Sequence, residues 1–179
     1  MKILAFAGSN SDVSINKKLV TYVTTFFTGD DVEILDLNDF EMPIYKHERE
    51  LESGIPQLAK DFAAKIDGSE LIIMSLAEHN SAYSAAFKNI FDWVSRIKDR
   101  KHFGEKPIFL MGTAPGNGGG KNVIEVFLKR APFSGANVIE TFSLPNFRDR
   151  FEEGKGITDE QKLDELKSRV QAVKQFFSN

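Results

Sequence analysis

The chain has 179 residues, 41% of them hydrophobic, which is enough for one domain with a buried core. A formal net charge of -3 supplies no strong pull toward nucleic acid or an anionic membrane. There is no cysteine, which excludes disulfides, thiolate metal sites, a cysteine nucleophile and a dithiol relay; any redox chemistry must come from a bound cofactor.

The pattern from the N-terminus onward alternates strand and helix. Met1 to Gly8 holds an apolar run, Ile3 to Ala7, that reads as a buried strand and is too short for a secretory signal. No stretch is long and apolar enough to span a bilayer, so the expected location is the cytoplasm. Leu19, Val20, Val23, Phe26 and Phe27 follow at helical spacing. Val32 to Leu37 reads as a second strand, and Asn38 to Ile55 as a loop. Pro56 suits the first turn of a helix carrying Leu58, Phe62, Ala63 and Ile66. Leu71 to Ser75 is a third strand, followed by a helix with Ile90, Trp93, Val94 and Ile97. Pro107 to Gly112 and Val138 to Leu144 are the fourth and fifth strands, separated by a helix with Ile124, Phe127, Leu128 and Ala131. Asn146 to Gly156 is charged and turn-rich and reads as a surface excursion. The last helix carries Leu163, Leu166, Val170, Val173 and Phe177, with Thr158 and Gln161 as a capping box.

Strand followed by helix, repeated along the whole chain, predicts a parallel sheet with right-handed crossovers and helices on both faces. The expected fold is a three-layer, doubly wound α/β domain over residues 1–179, flavodoxin-like, with five strands in order 2-1-3-4-5. Ligands of such sheets sit beyond the carboxyl ends of the strands, where the strand order reverses. The loops after strands one, three and four converge there, and these are the loops of unusual composition.

The first of them, Gly8-Ser9-Asn10-Ser11-Asp12-Val13-Ser14-Ile15-Asn16, leads directly into a helix. Its hydroxyl and amide side chains and the unpaired N–H groups of the helix start suit a phosphate; an ordinary N-cap in a polar loop is the other reading. It lacks the glycines of the G-x-G-x-x-G dinucleotide fingerprint. In the second, Leu76 to Ser84, small residues admit a flat ring against the backbone, or form a plain connection capped by Ser84. The third, Gly112 to Asn122, resembles a P-loop but has Pro115 at the first glycine position and Asn122 where a magnesium-binding Ser or Thr belongs. It reads either as a flexible loop that lets backbone approach a ligand or as a mobile surface turn.

Taken together, these residues resemble the NADPH-dependent FMN reductase family, which includes flavodoxin-like quinone, azo-dye and chromate reductases. Gly8, Ser9, Ser14 and Asn16 match the family pattern G-S-x-R-x-x-S-x-N, with Ser11 in place of the arginine. Glu78, Asn80, Lys88, Asn89, Asp92 and Trp93 match P-E-Y-N-x-S-x-P-x-x-L-K-N-x-x-D-W. Ala77, His79, Ala82, Ser84 and Phe87 depart from it. The resemblance covers roughly Met1 to Leu144 and implies FMN as cofactor and NAD(P)H as electron donor. It implies that Ser9, Ser14 and Asn16 hold the phosphate, with Asn10 and Ser11 in the same loop. Glu78, His79, Asn80 and Ser81 would line the ribityl chain and ring. Thr113 and Gly116 would approach the pyrimidine edge. Loss of the loop arginine removes a charge-assisted phosphate contact.

The expected activity is hydride transfer from NAD(P)H to flavin and on to a small electrophile such as a quinone or flavin, with no catalytic side chain required. A flavodoxin-like electron carrier and a flavin-free interaction module of the same fold are the alternatives; the modest charge argues against the carrier. His47, His79 and His102 lie in different loops and read as exposed, not as metal ligands. Phe26, Phe27, Phe176 and Phe177 read as core or interface. Phe87, Ile90, Phe91, Trp93 and Val94 make the third helix apolar on more than one side, which predicts a homodimer or homotetramer.

Overall fold

The computed structural model describes residues 1–178. Five strands form one parallel sheet: β1 (Lys2–Gly8), β2 (Asp31–Leu35), β3 (Leu71–Leu76), β6 (Lys106–Thr113) and β7 (Ala136–Leu144). Their order is β2-β1-β3-β6-β7, the expected arrangement with the switch between β1 and β3. All six residues of β3 are buried, as a strand covered on both faces requires.

Two cores follow from the alternation of side chains across the sheet. On one face Phe6, Met74, Ile108 and Leu110 pack against α3 (Gln57–Gly68), α4 (Ala85–Val94) and α5 (Lys121–Ser134). On the other, Ala5, Ile73, Phe109 and Phe142 pack against α1 (Ile15–Thr24) and α7 (Glu160–Phe176). Among the described residues no helix is long and apolar enough to cross a membrane.

The departures from expectation are local. The segment read as a loop after β2 holds a 3-10 turn (Leu37–Phe40) and the short helix α2 (His47–Ser53). None of the residues of α2 is buried, so it has no apolar stripe to announce it. It is held through Glu50, whose carboxylate accepts hydrogen bonds from Tyr45 Oη (3.0 Å) and Arg96 Nε (2.9 Å). The second strand ends at Leu35, and the first helix stops before Phe26; Phe27 still reaches the core from the turn beyond.

The connection after β3 contains a tight hairpin, β4 (Glu78–His79) and β5 (Ala82–Tyr83). Asn80 (φ 52) and Ser81 (φ 63) form its two-residue turn; positive φ at both is the type I′ geometry that matches strand twist. Asn146 to Gly156 is more than a surface excursion. It forms α6 (Phe147–Arg150) and one arm of a second hairpin, β8 (Phe151–Glu152) with β9 (Gly156–Ile157). Phe147 is buried and stacks on Phe151 at 4.6 Å, and a Cβ at Gly156 would overlap the Tyr22 ring. The start of α7 is capped by Asp159, whose carboxylate accepts from Lys162 N (2.9 Å), not by Thr158.

The apolar helix α4 buries both faces within its own chain. Phe87, Ile90, Phe91, Trp93 and Val94 are all buried. The outer face is covered by a strap, Met42 to Tyr45, that the family-like residues Asn89 and Trp93 tie down. Asn89 Nδ2 donates to Met42 O (3.0 Å), Asn89 Oδ1 accepts from Tyr45 N (2.8 Å), and Trp93 Nε1 donates to Pro43 O (2.7 Å). The helix therefore does not itself require a second subunit. Phe176 and Phe177 lie 47% and 38% exposed at the end of α7, outside the core.

Candidate functional site

The three loops meet at the carboxyl edge of β1, β3 and β6, and buried polar side chains sew them together. Asn16, in the first turn of α1, sits under the junction: its Oδ1 accepts from Ser75 Oγ (2.8 Å) and Thr113 N (3.2 Å), and its Nδ2 donates to Thr113 O (3.4 Å). Ser84 caps α4 by accepting from Phe87 N (3.1 Å) while its hydroxyl donates to Gly8 O (2.8 Å). Thr113 donates its hydroxyl to Leu144 O (2.6 Å). Each of these groups is buried and fully used, which keeps strand ends and helix starts in one geometry.

The candidate residues therefore fall into two sets. Ser14, Asn16, Thr113 and Glu78 have their side chains engaged by the protein: Ser14 Oγ accepts from Lys17 N (3.2 Å), and Glu78 spans to the start of α5. Asn10, Ser11, His79, Asn80, Ser81 and Gly116 are exposed at the junction, with Ser9 half-buried beside them. Ser9 Oγ accepts from Ser11 N (3.2 Å), which curls the first loop over the start of α1. The structure brings the first loop and the hairpin to one place: Asn10 and His79 line a common cleft of about 240 Å³. Its other walls include Phe40, Met42 and Ile44 of the strap region and Ile90 of α4, with polar Asn38, Glu41 and Asn89 among them.

The start of α1 is left open by the chain. Ser14 satisfies one first-turn N–H, leaving those of Ile15 and Asn16 without an intrahelical acceptor. No acidic residue lies in that turn. Lys17, close by, is committed to Asp36, whose carboxyl is held below the usual range chiefly by that hydrogen bond, and Lys18 to Glu153 (2.8 Å). The positive character at this loop thus comes from the helix end and its N–H groups, not from a free basic side chain.

The glycine-rich third loop is fixed, not mobile. Ser143 Oγ donates to Gly119 O (2.8 Å), and Asn146 N and Phe147 N donate to Gly116 O (2.9 Å) and Ala114 O (3.1 Å). Gly119 and Gly120 have φ of +62 and +76, and a Cβ on Gly120 would come within 3.0 Å of the Gly112 backbone. Of the glycines in this loop, Gly116 and Gly118 face open space. The phosphate position of a P-loop is already filled, because Glu78 places its carboxylate at the start of α5.

His102 is not an exposed loop histidine. It stacks on Phe91 at 4.2 Å, and burial, aided by Arg130 and Arg100, pushes its imidazole down to about 4. Sequence reasoning missed Ser75 and the strap. A serine inside the apolar strand Leu71–Leu76 was the available signal for the first; nothing marked the second except the Asn89 and Trp93 it uses. A larger groove of about 550 Å³ runs along α1 and the β8–β9 hairpin, but its lysines are paired with acids: Lys17 with Asp36, Lys18 with Glu153 and Lys155 with Glu152.

The parallel 2-1-3-4-5 sheet, with an open helix start and a cleft beside its switch point, places the protein in the flavodoxin-like class. The description "NADPH-dependent FMN reductase" matches residues 1–149, and the chain belongs to that family. It is similar to an uncharacterised protein of Mycoplasma pneumoniae, at 29% identity over 90% of this chain and 98% of that one. It is also similar to a 2-hydroxy-1,4-benzoquinone reductase from a Burkholderia species, at 26% identity over 65% of this chain and 62% of that protein. Among solved structures, FerB of Paracoccus denitrificans, a flavoenzyme NAD(P)H:(acceptor) oxidoreductase, shares the fold. Its TM-score is 0.74 at 22% identity, covering 96% of this chain and 93% of that one.

Proposed function

We propose that this protein binds FMN at the junction of the three loops and uses NAD(P)H to reduce a small electrophile such as a quinone or a free flavin. The observation that carries the reading is the unplugged start of α1 beside the cleft lined by Asn10 and His79. The residues present fit the cofactor. Hydroxyls of Ser9 and Ser11 and the N–H groups of Ile15 and Asn16 are donors for a phosphate. The exposed turn Asn80-Ser81 and the open backbone at Gly116 offer polar groups to a ring edge.

FMN, when bound, would supply the two-electron hydride chemistry that links NAD(P)H to the acceptor. The chain supplies position. Asn16 holds the phosphate loop against β3 and β6, so the loop does not reorganise when a ligand arrives. Asn89 and Trp93 hold the strap that walls the cleft. Phe40, Met42 and Ile44 give that cleft an apolar side suited to an uncharged planar acceptor.

The proposal extends to a cytoplasmic homodimer or homotetramer. Its support is the pair of exposed apolar side chains on α5, Val126 at 36% and Phe133 at 69%, the latter with Arg130 over its ring.

The test is an absorbance spectrum of the purified protein before and after adding FMN, followed by NAD(P)H consumption with a quinone. Flavin bands and direct oxidation of NAD(P)H are expected. Flavin bands without NAD(P)H oxidation would favour the electron carrier, and no flavin uptake would favour the flavin-free module.

A further inference from the structure

The start of α5 is capped from a distance. Its N-cap, Gly120, has no side chain, and no acidic residue lies in its first turn. Glu78, on β4, does the work: Oε2 accepts from Asn122 N (3.1 Å) and Val123 N (3.3 Å), and Oε1 accepts from Asn122 Nδ2 (2.9 Å). One carboxylate thus neutralises the positive end of a 14-residue helix and ties the hairpin to the glycine-rich loop.

We propose that Glu78 is a positioning residue that sets the reducing power of bound FMN, by cancelling the field that the start of α5 would otherwise exert on the ring. The proposal rests on the reading that the pyrimidine edge lies against the open backbone at Gly116, on the loop that leads into α5. Two-electron reduction adds negative charge to that half of the ring. An open helix start stabilises added negative charge; one already holding a carboxylate does not. The Glu78 charge therefore keeps the reduced form less stabilised and the bound cofactor a stronger reductant. A carboxamide at the same position keeps the shape and an acceptor oxygen but removes the charge.

The experiment compares FMN-loaded wild-type protein with Glu78→Gln, Glu78→Asp and Lys121→Glu. It reads the Kd for oxidised FMN and the two-electron midpoint potential of the bound cofactor. Glu78→Gln is expected to favour reduced over oxidised FMN by about tenfold, an upward shift of about 30 mV. Glu78→Asp keeps the charge and should stay close to wild type. Lys121→Glu changes an exposed position in the first turn of α5, so folding is not at stake, and should lower the potential. Urea midpoints report the structural share of each change, which a potential does not follow. If wild type binds FMN while neither Glu78→Gln nor Lys121→Glu moves the potential in its stated direction, the proposal is overturned and the FMN reading stands. If wild type takes up no FMN, both fall.

Discussion

Two helices start at the same carboxyl edge of the sheet, and they treat their first turns in opposite ways. The start of α1 is capped only by a serine hydroxyl and leaves backbone N–H groups without protein acceptors. The start of α5 follows a glycine-rich loop that looks the more like a phosphate cradle, yet it is sealed by Glu78 and packed against β6 and β7. The difference teaches that glycine content is a poor guide to an anion site. Glycines at 119 and 120 are there because neighbouring backbone leaves no room for a Cβ. What distinguishes the proposed site is a helix start that the chain leaves unfilled.

The contrast breaks most visibly at the sealed end. Gly120→Ala places a Cβ against the Gly112 backbone at positive φ and should cost about 3 kcal/mol of stability. Gly118→Ala, with open space around it, should stay within about 0.5 kcal/mol. Urea midpoints check both, and equal losses would show that the loop is not pinned as described. Under the open end, Asn16→Ala strands the Ser75 hydroxyl and the Thr113 N–H in a buried site. It should cost about 2 kcal/mol and weaken FMN binding, read by urea melts and by titration of flavin fluorescence.

The open end is sharpened by adding what it lacks. Ser11→Arg brings a guanidinium to a loop whose nearby lysines are already paired, and should tighten FMN binding about tenfold. Fluorescence quenching at low salt is the measurement; unchanged affinity would place the phosphate elsewhere. The smallest effect lies away from both helix starts. His102 titrates near 4 when folded against an ordinary 6.5, so its contribution is fully present above about 6.5 and lost as pH falls toward 4, because the unfolded chain takes up the proton first. The ring is partly exposed, so the loss is discounted to on the order of 1 kcal/mol. His102→Phe keeps the stack on Phe91 and should flatten stability between pH 6.5 and 4 relative to wild type.

The layered fold was legible because each sheet strand and each long helix carries its own apolar pattern, as in Leu71–Leu76 or Leu166, Val170 and Val173. The elements that escaped are short: some hang on polar contacts, while α6 and the β8–β9 hairpin pack through Phe147 and Phe151. The helix α2 buries nothing and hangs on Glu50, and the β4–β5 hairpin is two residues on each arm. The site was legible as three loops, but not in the division of labour within them. Ser14, Asn16 and Glu78 look equivalent to exposed Ser9, Ser11 and Asn80 in a polar run. Ser14 is turned inward by its local N-cap bond to Lys17 N, Asn16 and Glu78 by hydrogen bonds to residues distant in sequence. The doubly apolar α4 suggested a partner subunit because nothing in the sequence tells that the Met42–Tyr45 strap covers it.

The central claim is that the N-terminal turn of α1 grips a phosphate, and it is tested most directly by comparing the calorimetric Kd of FMN with that of riboflavin, which carries the same ring without the phosphate. FMN should bind at least about tenfold more tightly, and raising salt should narrow the gap. Equal affinities for the two ligands would contradict it.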